Sequence, residues 1–373
     1  MGGMIENFHA VIPAGGSGTR LWPVSRTARP KFLHDILGTG STLLQSTWER
    51  TVGLAAPQRT WVVTGRGHVD AVREQLPDLL SDRVVAEPSP KDSAAAIGLA
   101  TMLIHREDPD AVIGSFSADH SITNTGEFLS VVEQAAAAAA ATGDIVTIGI
   151  TPTYPATSYG YIETGDLLRI PDAPTARRAA AFVEKPDAAT ARTYAYSGGY
   201  RWNAGMFIMR AAVLLELLEE QAPALHAGLT RIVDAWHTPD RDAVQSEVWP
   251  TLGKKAIDYV VAEPAAAAGR VIVVPGDFGW DDVGDFDSVA KLRQPVPGEV
   301  HGVSAIGEGV DVVDVESRGV VISETGRLVA LVGVEDLVVV DTDDAVLVTS
   351  RAYAQQVKEV VARVREAGRD ELL

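Results

Sequence analysis

The chain has 373 residues, 46% of them hydrophobic, with no cysteine and a formal net charge of −18 at pH 7. This length accommodates one large α/β domain and a small second one, and the absence of cysteine excludes disulfides and thiolate metal sites. The acidic balance argues against general nucleic-acid binding, which needs a basic surface. No apolar run reaches membrane-spanning length and we expect no secretory leader, so the sequence predicts a cytoplasmic protein without a membrane partner.

The first two-thirds of the chain alternates short β-branched runs with helical patterns, which is typical of a parallel sheet covered by helices on both faces. Strands are predicted at 10–12, 60–64, 83–87, 111–116 and 144–149, with another ending near 182–186 and a turn entering a strand at 201–208. Helices are predicted at 43–52, 69–75, 94–105, 128–141 and 211–221. The pattern indicates a Rossmann-like α/β domain over residues 1–294, with a mixed, mostly parallel sheet.

The C-terminal part of the chain has a different rhythm. A proline-rich segment at 294–298 is the clearest linker candidate. After it, short strands are predicted at 310–315, 319–323, 328–332, 337–340 and 345–349, followed by an amphipathic helix at 352–365. Residues 299–373 therefore predict a small β-helix-like domain, which would need to pack on the main domain or on a second chain.

A glycine cluster followed by cationic residues lies between the first strand and the first helix, as Ala14-Gly15-Gly16-Ser17-Gly18-Thr19-Arg20 and then Pro30-Lys31. Because glycine has no Cβ, the backbone N–H groups of such a loop can converge on an anion. Arg20 and Lys31 add mobile positive charge beside those dipoles. The combination predicts a nucleoside triphosphate site.

Two common glycine motifs do not fit this cluster. The phosphate loop of ATPases and GTPases needs Lys-Ser/Thr, and no such pair follows Gly18. The dinucleotide pattern Gly-x-Gly-x-x-Gly, counted from Gly16, needs glycine where Leu21 stands. A phosphate-loop enzyme is therefore excluded and a dehydrogenase is disfavoured, while a glycine-rich turn without a ligand remains as an alternative.

Two acidic positions are candidates for a metal site. Asp119 follows the strand predicted at 111–116, where open α/β sheets place their ligands, although a lone Asp there can also cap a helix. Asp282 lies in a second acidic cluster far along the chain. Two carboxylates with phosphate oxygens suit Mg²⁺, and an acidic protein that binds polyphosphate must gather cations locally. Spacing alone does not establish that the two residues meet.

Three further segments carry candidate binding residues. The Lys185 ammonium suits a phosphate and Glu184 can accept hydrogen bonds from sugar hydroxyls, although an exposed strand end also carries such charges. Asn203 can bond a hydroxyl or its own backbone. Before the helix at 94–105, Asp92 or Ser93 can cap that helix, and Asp92 is the favoured cap.

Taken together, these motifs resemble the sugar-1-phosphate nucleotidyltransferase family over roughly residues 9–290, and within it the mannose-1-phosphate guanylyltransferase (GDP-mannose pyrophosphorylase) branch. The resemblance is carried by Gly15 to Pro23 with Ser25-Arg26 and Pro30-Lys31, Glu87-Pro88, Lys91, Ala118-Asp119-His120, Tyr159-Gly160-Tyr161, Glu184-Lys185-Pro186, Trp202-Asn203-Ala204-Gly205-Met206-Phe207, Ile257-Asp258-Tyr259 and Trp280-Asp281-Asp282-Val283-Gly284. The C-terminal portion is similar to the β-helix-like tail of that branch. Longer members carry an additional isomerase domain, for which we expect no room in this chain.

The resemblance implies transfer of a nucleotidyl group from GTP to mannose 1-phosphate, with Mg²⁺ as cofactor and a homodimer as the assembly. The implied catalytic residues are Arg20, Lys31 and Asp119, with Asp119 and Asp282 as metal ligands. The implied nucleotide-binding residues are Ala14, Gly15, Gly16, Ser17, Gly18, Thr19, Glu87, Lys91, Asp92 and Ser93. The implied sugar-phosphate-binding residues are Gly160, Glu184, Lys185 and Asn203.

Some positions depart from the pattern of the branch. Asp92-Ser93 stand where the branch usually has Asn-Thr, and Ala95 stands in place of proline, in a loop that the family uses near the base. Two alternatives therefore stay open. One is a nucleotidyltransferase for another pair, such as glucose 1-phosphate with UTP, and the other is a non-catalytic regulatory homologue.

Overall fold

A computed structural model describes residues 5–16, 18–293 and 302–373. These residues form two compact units. The first unit takes the described residues of Met1–Gly15, Thr47–Ala118 and Ile122–Trp280, and the second those of Gly16–Ser46, Asp119–Ser121 and Asp281–Leu373. The predicted linker at 294–298 lies outside the described residues, and the division into domains 1–294 and 299–373 stays a prediction.

Seventeen strands are present in the described residues: β1 Phe8–Ala14, β2 Thr60–Gly65, β3 Val84–Glu87, β4 Val112–Ser115, β5 Ser121–Ile122, β6 Ile145–Ile150, β7 Tyr161–Leu167, β8 Arg177–Val183, β9 Tyr200–Arg210, β10 Val271–Gly276, β11 Trp280–Asp281, β12 Gly302–Ile306, β13 Asp311–Val315, β14 Arg318–Ser323, β15 Leu328–Val332, β16 Leu337–Asp341 and β17 Val346–Ser350. The α-helices of the same residues are α1 Leu43–Val52, α2 Val69–Gln75, α3 Ser93–Glu107, α4 Thr125–Thr142, α5 Ala188–Ser197, α6 Ala211–Gln221, α7 Pro223–Asp234, α8 Arg241–Val248, α9 Glu263–Ala267, α10 Phe286–Leu292 and α11 Val357–Glu366.

The first unit is built on a nine-stranded mixed sheet in the order β3-β2-β1-β4-β9-β6-β10-β8-β7. Strands β1 to β4 pair in parallel, as do β6 and β10, whereas β9 runs antiparallel to both β4 and β6. Alternate residues of each strand face opposite sides, so the sheet has two apolar faces to cover. One core contains α3, α6 and α7, and the other contains α4. The predicted α/β class is confirmed.

Local sequence explains why the helices begin and end where they do. In α4, the Asn124 side chain accepts a hydrogen bond from Glu127 N–H, and the helix ends at Gly143 with φ of 71°. The segment between them is rich in alanine, which is the best helix former. Glycine suits the left-handed conformation of the residue that ends the helix. In α3, the Asp92 side chain caps the helix by accepting from Ser93 N–H, as predicted.

The second unit contains the β-helix-like strands. A four-stranded sheet runs in the order β12-β14-β16-β17, and β13 pairs with β15. All these pairs are parallel except β16 with β17. Parallel coils of this kind are the architecture of a β-helix, so the predicted C-terminal β-helix-like fold is confirmed.

The core of the second unit also includes residues from the N-terminal part of the chain. Leu21, Trp22 and Ile36 are buried with β-helix residues such as Val338 and with Val361 of α11. Trp22 Nε1 donates to the backbone oxygen of Leu372 at 2.7 Å, and Arg26 forms a two-pronged ion pair with Asp344. The segment that carries the glycine motif is therefore packed against the β-helix-like strands of its own unit.

Several element predictions have the observed bounds, and others need correction. The helices predicted at 43–52, 69–75 and 211–221 occur with those bounds. Residues 201–208, predicted as a turn entering a strand, lie wholly within β9, because a bulge with Gly205 at φ of 68° supplies the irregularity. The predicted helix at 352–365 begins as a 3₁₀ helix, Arg351–Gln356. Among the described residues, no helix is long and apolar enough to cross a lipid bilayer.

Candidate functional site

The predicted site residues fall into two sets, one in each unit. The second unit holds Gly16, Gly18, Thr19, Arg20, Lys31, Asp119 and Asp282, while Ser17 lies outside the described residues. The first unit holds Ala14, Gly15, Glu87, Lys91, Asp92, Ser93, Gly160, Glu184, Lys185 and Asn203. Within each set, the structure brings several residues into direct contact.

The glycines of the motif differ in the space around their backbone: Gly15 and Gly16 have open surroundings, whereas Gly18 is closely packed. Gly15 and Gly16 are exposed, no described atom lies within 4 Å of the position that a Cβ would take at either, and φ of Gly16 is 89°. Gly18 has φ of 56°, and a Cβ there would lie 2.8 Å from Ser25 Oγ and 3.1 Å from Lys31 Cβ. Only glycine tolerates both the backbone angle and the close approach at position 18. By contrast, Ala14 is buried at the end of β1, where its carbonyl accepts from Thr64 Oγ1 at 2.8 Å.

Arg20 stands directly after this backbone, in the short 3₁₀ helix Thr19–Leu21. Its Nε atom is buried and has no hydrogen-bond partner among the described residues. A buried guanidinium N–H without a partner costs free energy, so the position favours an added acceptor such as a phosphate oxygen.

The Lys31 side chain contacts both predicted metal ligands, Asp119 through its carboxylate and Asp282 through its backbone oxygen. Its side chain is 11% exposed, and Nζ lies 2.9 Å from Asp119 Oδ2. The same ammonium donates to the backbone oxygens of Asp282 at 2.8 Å and of Val283 at 3.3 Å. One buried cation therefore contacts residues that are distant in sequence, and the uncertainty over whether Asp119 lies near the Asp282 segment is resolved within this unit.

The charge of Lys31 also governs the ionisation of Asp119. Burial by itself raises the pKa of the Asp119 carboxyl, but the ammonium of Lys31, helped by His120, outweighs that effect and holds the pKa below its ordinary value of 3.8. Asp119 is therefore an anion at neutral pH, which is the form that binds a cation.

The turn after Asp281 is strained. Val283 is fully buried and has φ of 48°, a left-handed conformation that β-branched residues rarely adopt. Its N–H donates to Asp281 Oδ1 at 2.7 Å, and its carbonyl accepts from Lys31. Such strain persists only where surrounding contacts enforce it, and it concentrates at functional sites. The sequence does not indicate this strained turn, because a valine gives no sign that its φ is positive.

The four predicted sugar-phosphate residues converge in the first unit. Glu184 Oε1 pairs with Lys185 Nζ at 2.8 Å, and the Glu184 side chain is only 7% exposed. Its other oxygen, Oε2, is buried without a hydrogen-bond partner among the described residues, and a Cβ at Gly160 would collide with it. Asn203 N–H donates to the Gly160 carbonyl at 2.8 Å. Because Gly160 has no side chain, there is space beside Glu184 Oε2, an acceptor that lacks a hydrogen-bond donor in the described part of the chain.

The Lys185 ammonium is the exposed member of this group. Burial lowers its pKa, but the hydrogen bond and charge of Glu184 outweigh burial and raise the pKa above its ordinary value of 10.5. Its Nζ also lies 5.9 Å from the centre of the Tyr259 ring. A permanently charged, half-exposed ammonium can bind a phosphate.

Asp258 was not among the predicted site residues, although it lies beside them. Its Oδ1 accepts from Asn203 Nδ2 at 2.8 Å. Burial, followed by the charge of Glu184, raises the pKa of Asp258 to about 6. It also begins the π-helical segment Asp258–Ala262, and single π turns are frequent at functional sites.

The loop from Glu87 to Ser93 is tied to the segment around residues 249–257. Lys91 Nζ donates to the carbonyls of Pro250 and Leu252 at 2.8 and 2.7 Å. Ser93 Oγ accepts from Ile257 N–H at 2.9 Å. These two side chains are therefore engaged in holding the loop, and their predicted contacts with nucleotide stay predictions.

Glu87 is the unusual member of that loop. The residue is 7% exposed, and its Oε1 has no partner among the described residues. Burial and then the charge of Asp92 raise its pKa from the ordinary 4.5 to about 7. Between those values the folded protein keeps a proton that the unfolded chain has released, so stability falls as the pH rises through this window.

Replacing Glu87 with glutamine tests this pKa shift. We expect the free energy of unfolding of Glu87→Gln, relative to that of the wild type, to increase by on the order of 2 kcal/mol from pH 5 to pH 8. The wild type must bury a charge as the pH rises, whereas the variant has no charge to bury. Urea unfolding at both pH values measures the difference. The exposed control Glu74→Gln should show no such gain, and an equal pH dependence in the wild type and Glu87→Gln would rule the shift out.

The donor set is compatible with Mg²⁺. Among the described residues, no group of three or more histidines or carboxylates is placed to hold a metal ion. Mg²⁺ in phosphate-transfer sites usually takes one or two carboxylates and completes its shell with substrate phosphates and waters. Asp119 and Asp282 are the right kind and number of ligands for that arrangement.

The chain is similar to known proteins over nearly its whole length. Residues 9–297 match the family described as Nucleotidyl transferase, and residues 310–364 match the MannoseP isomerase/GMP-like beta-helix domain. The xanthan biosynthesis protein XanB of Xanthomonas campestris pv. campestris strain B100 is 39% identical over 369 residues, which cover 97% of this chain and 74% of that protein. The mannose-1-phosphate guanylyltransferase ManC of Salmonella typhimurium is 38% identical over 371 residues, with coverages of 98% and 74%.

A solved structure extends the comparison to three dimensions. The crystal structure of a protein from Thermus thermophilus, described as a mannose-1-phosphate geranyltransferase, superimposes with a TM-score of 0.83 at 34% sequence identity. The match covers 96% of this chain and 99% of the Thermus chain. The resemblance inferred from the motifs is therefore confirmed.

Proposed function

Because the chain belongs to the nucleotidyl transferase family, we propose that it transfers the guanylyl group of GTP to mannose 1-phosphate, giving GDP-mannose and pyrophosphate. The observation that carries the proposal is the Lys31 ammonium, buried between the Asp119 carboxylate and the backbone of Asp282. Relatives named mannose-1-phosphate guanylyltransferase match almost the whole chain at 37–38% identity, which supports the choice of substrates.

The reaction needs alignment and charge neutralisation more than it needs a base. A phosphate oxygen of mannose 1-phosphate, already ionised at neutral pH, attacks the α-phosphorus of GTP. The bond from that phosphorus to the oxygen bridging to the β-phosphate breaks, and pyrophosphate departs with the bonding electrons. Positioned cations and N–H dipoles that stabilise the charge on the departing group supply the rate enhancement.

We assign the triphosphate to the cations and backbone of the glycine motif. The backbone N–H groups of the glycine motif, from Gly15 to Gly18, and the guanidinium of Arg20 would hold the β- and γ-phosphates. Lys31 would act near the reacting phosphates. Its contacts with Asp119 and with the backbone of Asp282 and Val283 hold these residues together. When bound by Asp119 and Asp282, Mg²⁺ would supply further neutralisation of phosphate charge.

We assign the sugar phosphate to the group around Gly160. Lys185 would bind its phosphate, and the buried Oε2 of Glu184 would accept a hydrogen bond from a sugar hydroxyl. Asn203 would donate to a sugar oxygen. The unpartnered Glu184 oxygen supports this assignment, because a buried acceptor without a donor is costly until a ligand supplies one.

We assign the base to the loop that begins at Glu87. Guanine presents two adjacent N–H donors on its pairing edge, and the buried Glu87 carboxyl has an oxygen without a partner. Uracil presents one such donor, so a carboxylate at this position favours guanine. The contributions of Lys91, Asp92 and Ser93 to base binding, a cytoplasmic location and a homodimer belong to the same proposal and stay predictions.

A substrate panel tests the proposal. We measure pyrophosphate release from GTP, UTP, ATP and dTTP, each with mannose 1-phosphate and with glucose 1-phosphate, in the presence of Mg²⁺. We expect kcat/KM for GTP with mannose 1-phosphate to exceed every other pair by about tenfold or more, since missing hydrogen bonds to a buried polar group are costly. Preference for UTP with glucose 1-phosphate would identify the alternative transferase, and binding of nucleotide sugar without turnover would identify a regulatory homologue.

A further inference from the structure

The Asn203 amide has almost no unused hydrogen-bonding capacity. Its Oδ1 accepts from Thr147 Oγ1 at 2.9 Å and from Gly205 N–H at 3.1 Å, which uses both lone pairs. Its Nδ2 donates one hydrogen to Asp258 Oδ1 at 2.8 Å. One N–H therefore remains, and any ligand atom at Asn203 must be an acceptor.

The same contacts fix which way the amide points. A flipped amide would put Nδ2 against the Gly205 N–H donor and would put Oδ1 against the Asp258 carboxylate, and both contacts would be repulsive. Thr147 and Gly205 hold the oxygen end, whereas Asp258 alone among the described residues holds the nitrogen end. Asp258 therefore determines the direction of the remaining N–H.

Asp258 is itself held by a rigid element. It begins the π-helical segment Asp258–Ala262, and the preceding residue, Ile257, donates its N–H to Ser93 Oγ at 2.9 Å. Ile257 is 2% exposed, so this anchor lies within the core. A carboxylate placed on a packed backbone can orient a neighbouring side chain more precisely than one on a mobile loop.

The charges around Asp258 favour this role over direct binding of a phosphate. Burial and then the charge of Glu184 raise the pKa of Asp258 to about 6, while the charge of Lys185 acts in the opposite direction. Glu263 is also adjacent to the group, because its Oε1 accepts from Glu184 N–H at 3.2 Å. The anionic surroundings of Asp258 itself disfavour a phosphate there and suit a neutral hydroxyl-bearing ring, whereas the phosphate is assigned to the Lys185 ammonium.

We propose that Asp258 is a positioning residue of the sugar site, which orients the Asn203 amide so that its one remaining N–H donates to a hydroxyl oxygen of the bound sugar 1-phosphate. The inference rests on the proposed function and names a residue that acts through Asn203 without contacting the sugar. Because Glu184 Oε2 needs a donor and Asn203 needs an acceptor, a single sugar hydroxyl beside Gly160 can satisfy both residues.

The test compares Asp258→Ala and Asp258→Asn with the wild type and with the exposed control Asp110→Ala. We expect Asp258→Ala to raise KM for mannose 1-phosphate about tenfold to a hundredfold, with KM for GTP changed less than about twofold. Asp258→Asn keeps an acceptor oxygen and should recover most of the lost affinity. Asp110→Ala should leave both constants unchanged.

A double-mutant cycle separates positioning from a merely structural role. In an Asn203→Ala background, Asp258→Ala should have no further effect on KM for mannose 1-phosphate, because the amide it orients is gone. Additive effects, or equal losses for both substrates with a lowered Tm, would overturn the inference while leaving the proposed function intact. Absence of turnover in the wild-type protein would overturn the proposed function, and this inference with it.

Discussion

Asp119→Asn is expected to lower kcat for GDP-mannose formation by about a thousandfold or more and to remove its dependence on Mg²⁺. Asparagine has nearly the same shape but cannot carry the negative charge that would hold the metal. In the present structure that charge is the partner of Lys31 Nζ at 2.9 Å, so the substitution also leaves a buried ammonium with only carbonyl partners. We expect a loss of stability of about 1–3 kcal/mol from that unmatched charge.

The measurement is a Mg²⁺ titration of initial rates at pH 7.5, at a temperature well below the Tm of the variant. Because Lys31 and His120 hold the pKa of Asp119 below 3.8, the wild-type carboxylate is fully ionised in this assay, and its contribution to stability is lost only as the pH falls further. Asp343→Asn, an exposed carboxylate of the same unit, is the matched control and should retain wild-type rates. A Mg²⁺ response in Asp119→Asn equal to that of the wild type would remove Asp119 from the metal site.

Arg20→Ala is expected to lower kcat/KM by about a hundredfold to a thousandfold while the free energy of unfolding changes by less than about 1 kcal/mol. The two effects separate because Arg20 has no protein partner for its buried Nε among the described residues, so its removal breaks no hydrogen bond of that atom in the folded state. Its charge would be used only when the triphosphate is bound.

Steady-state kinetics and urea unfolding of the same preparation measure both quantities. Arg365→Ala removes the same charge from an exposed position on α11 and should change neither. If Arg20→Ala turned over GTP at the wild-type rate, Arg20 would have no part in the mechanism. A rate loss matched by unfolding would make the residue structural.

Helices with strong local signals could be predicted from the sequence. The helices predicted at 43–52, 69–75 and 211–221 have the observed bounds, and in α6 Leu214 and Leu218 are fully buried, whereas Leu215 is only partly buried. The helix α7 was missed, although Pro223 at its start and the apolar spacing of its buried residues were visible in the sequence.

Other features depend on tertiary contacts that no local pattern records. The positive φ of Val283 is enforced by Asp281 and by Lys31, which stands some 250 positions earlier in the chain. The role of Asp258 follows from a hydrogen bond to Asn203 across two elements. Likewise, packing of the segment after Gly16 with the β-helix-like strands follows from burial of Leu21 and Trp22. Sequence motifs predict which residue types take part in the chemistry, and the structure shows which residues contact them.

The most direct test of guanylyl transfer follows the label in two parallel reactions with mannose 1-phosphate and Mg²⁺. With GTP labelled at the α-phosphate, we expect the label to appear in GDP-mannose, and with GTP labelled at the γ-phosphate, in pyrophosphate. Transfer of the γ-label to the sugar phosphate, or release of labelled inorganic phosphate without a nucleotide sugar, would show attack at a different phosphorus and contradict the account.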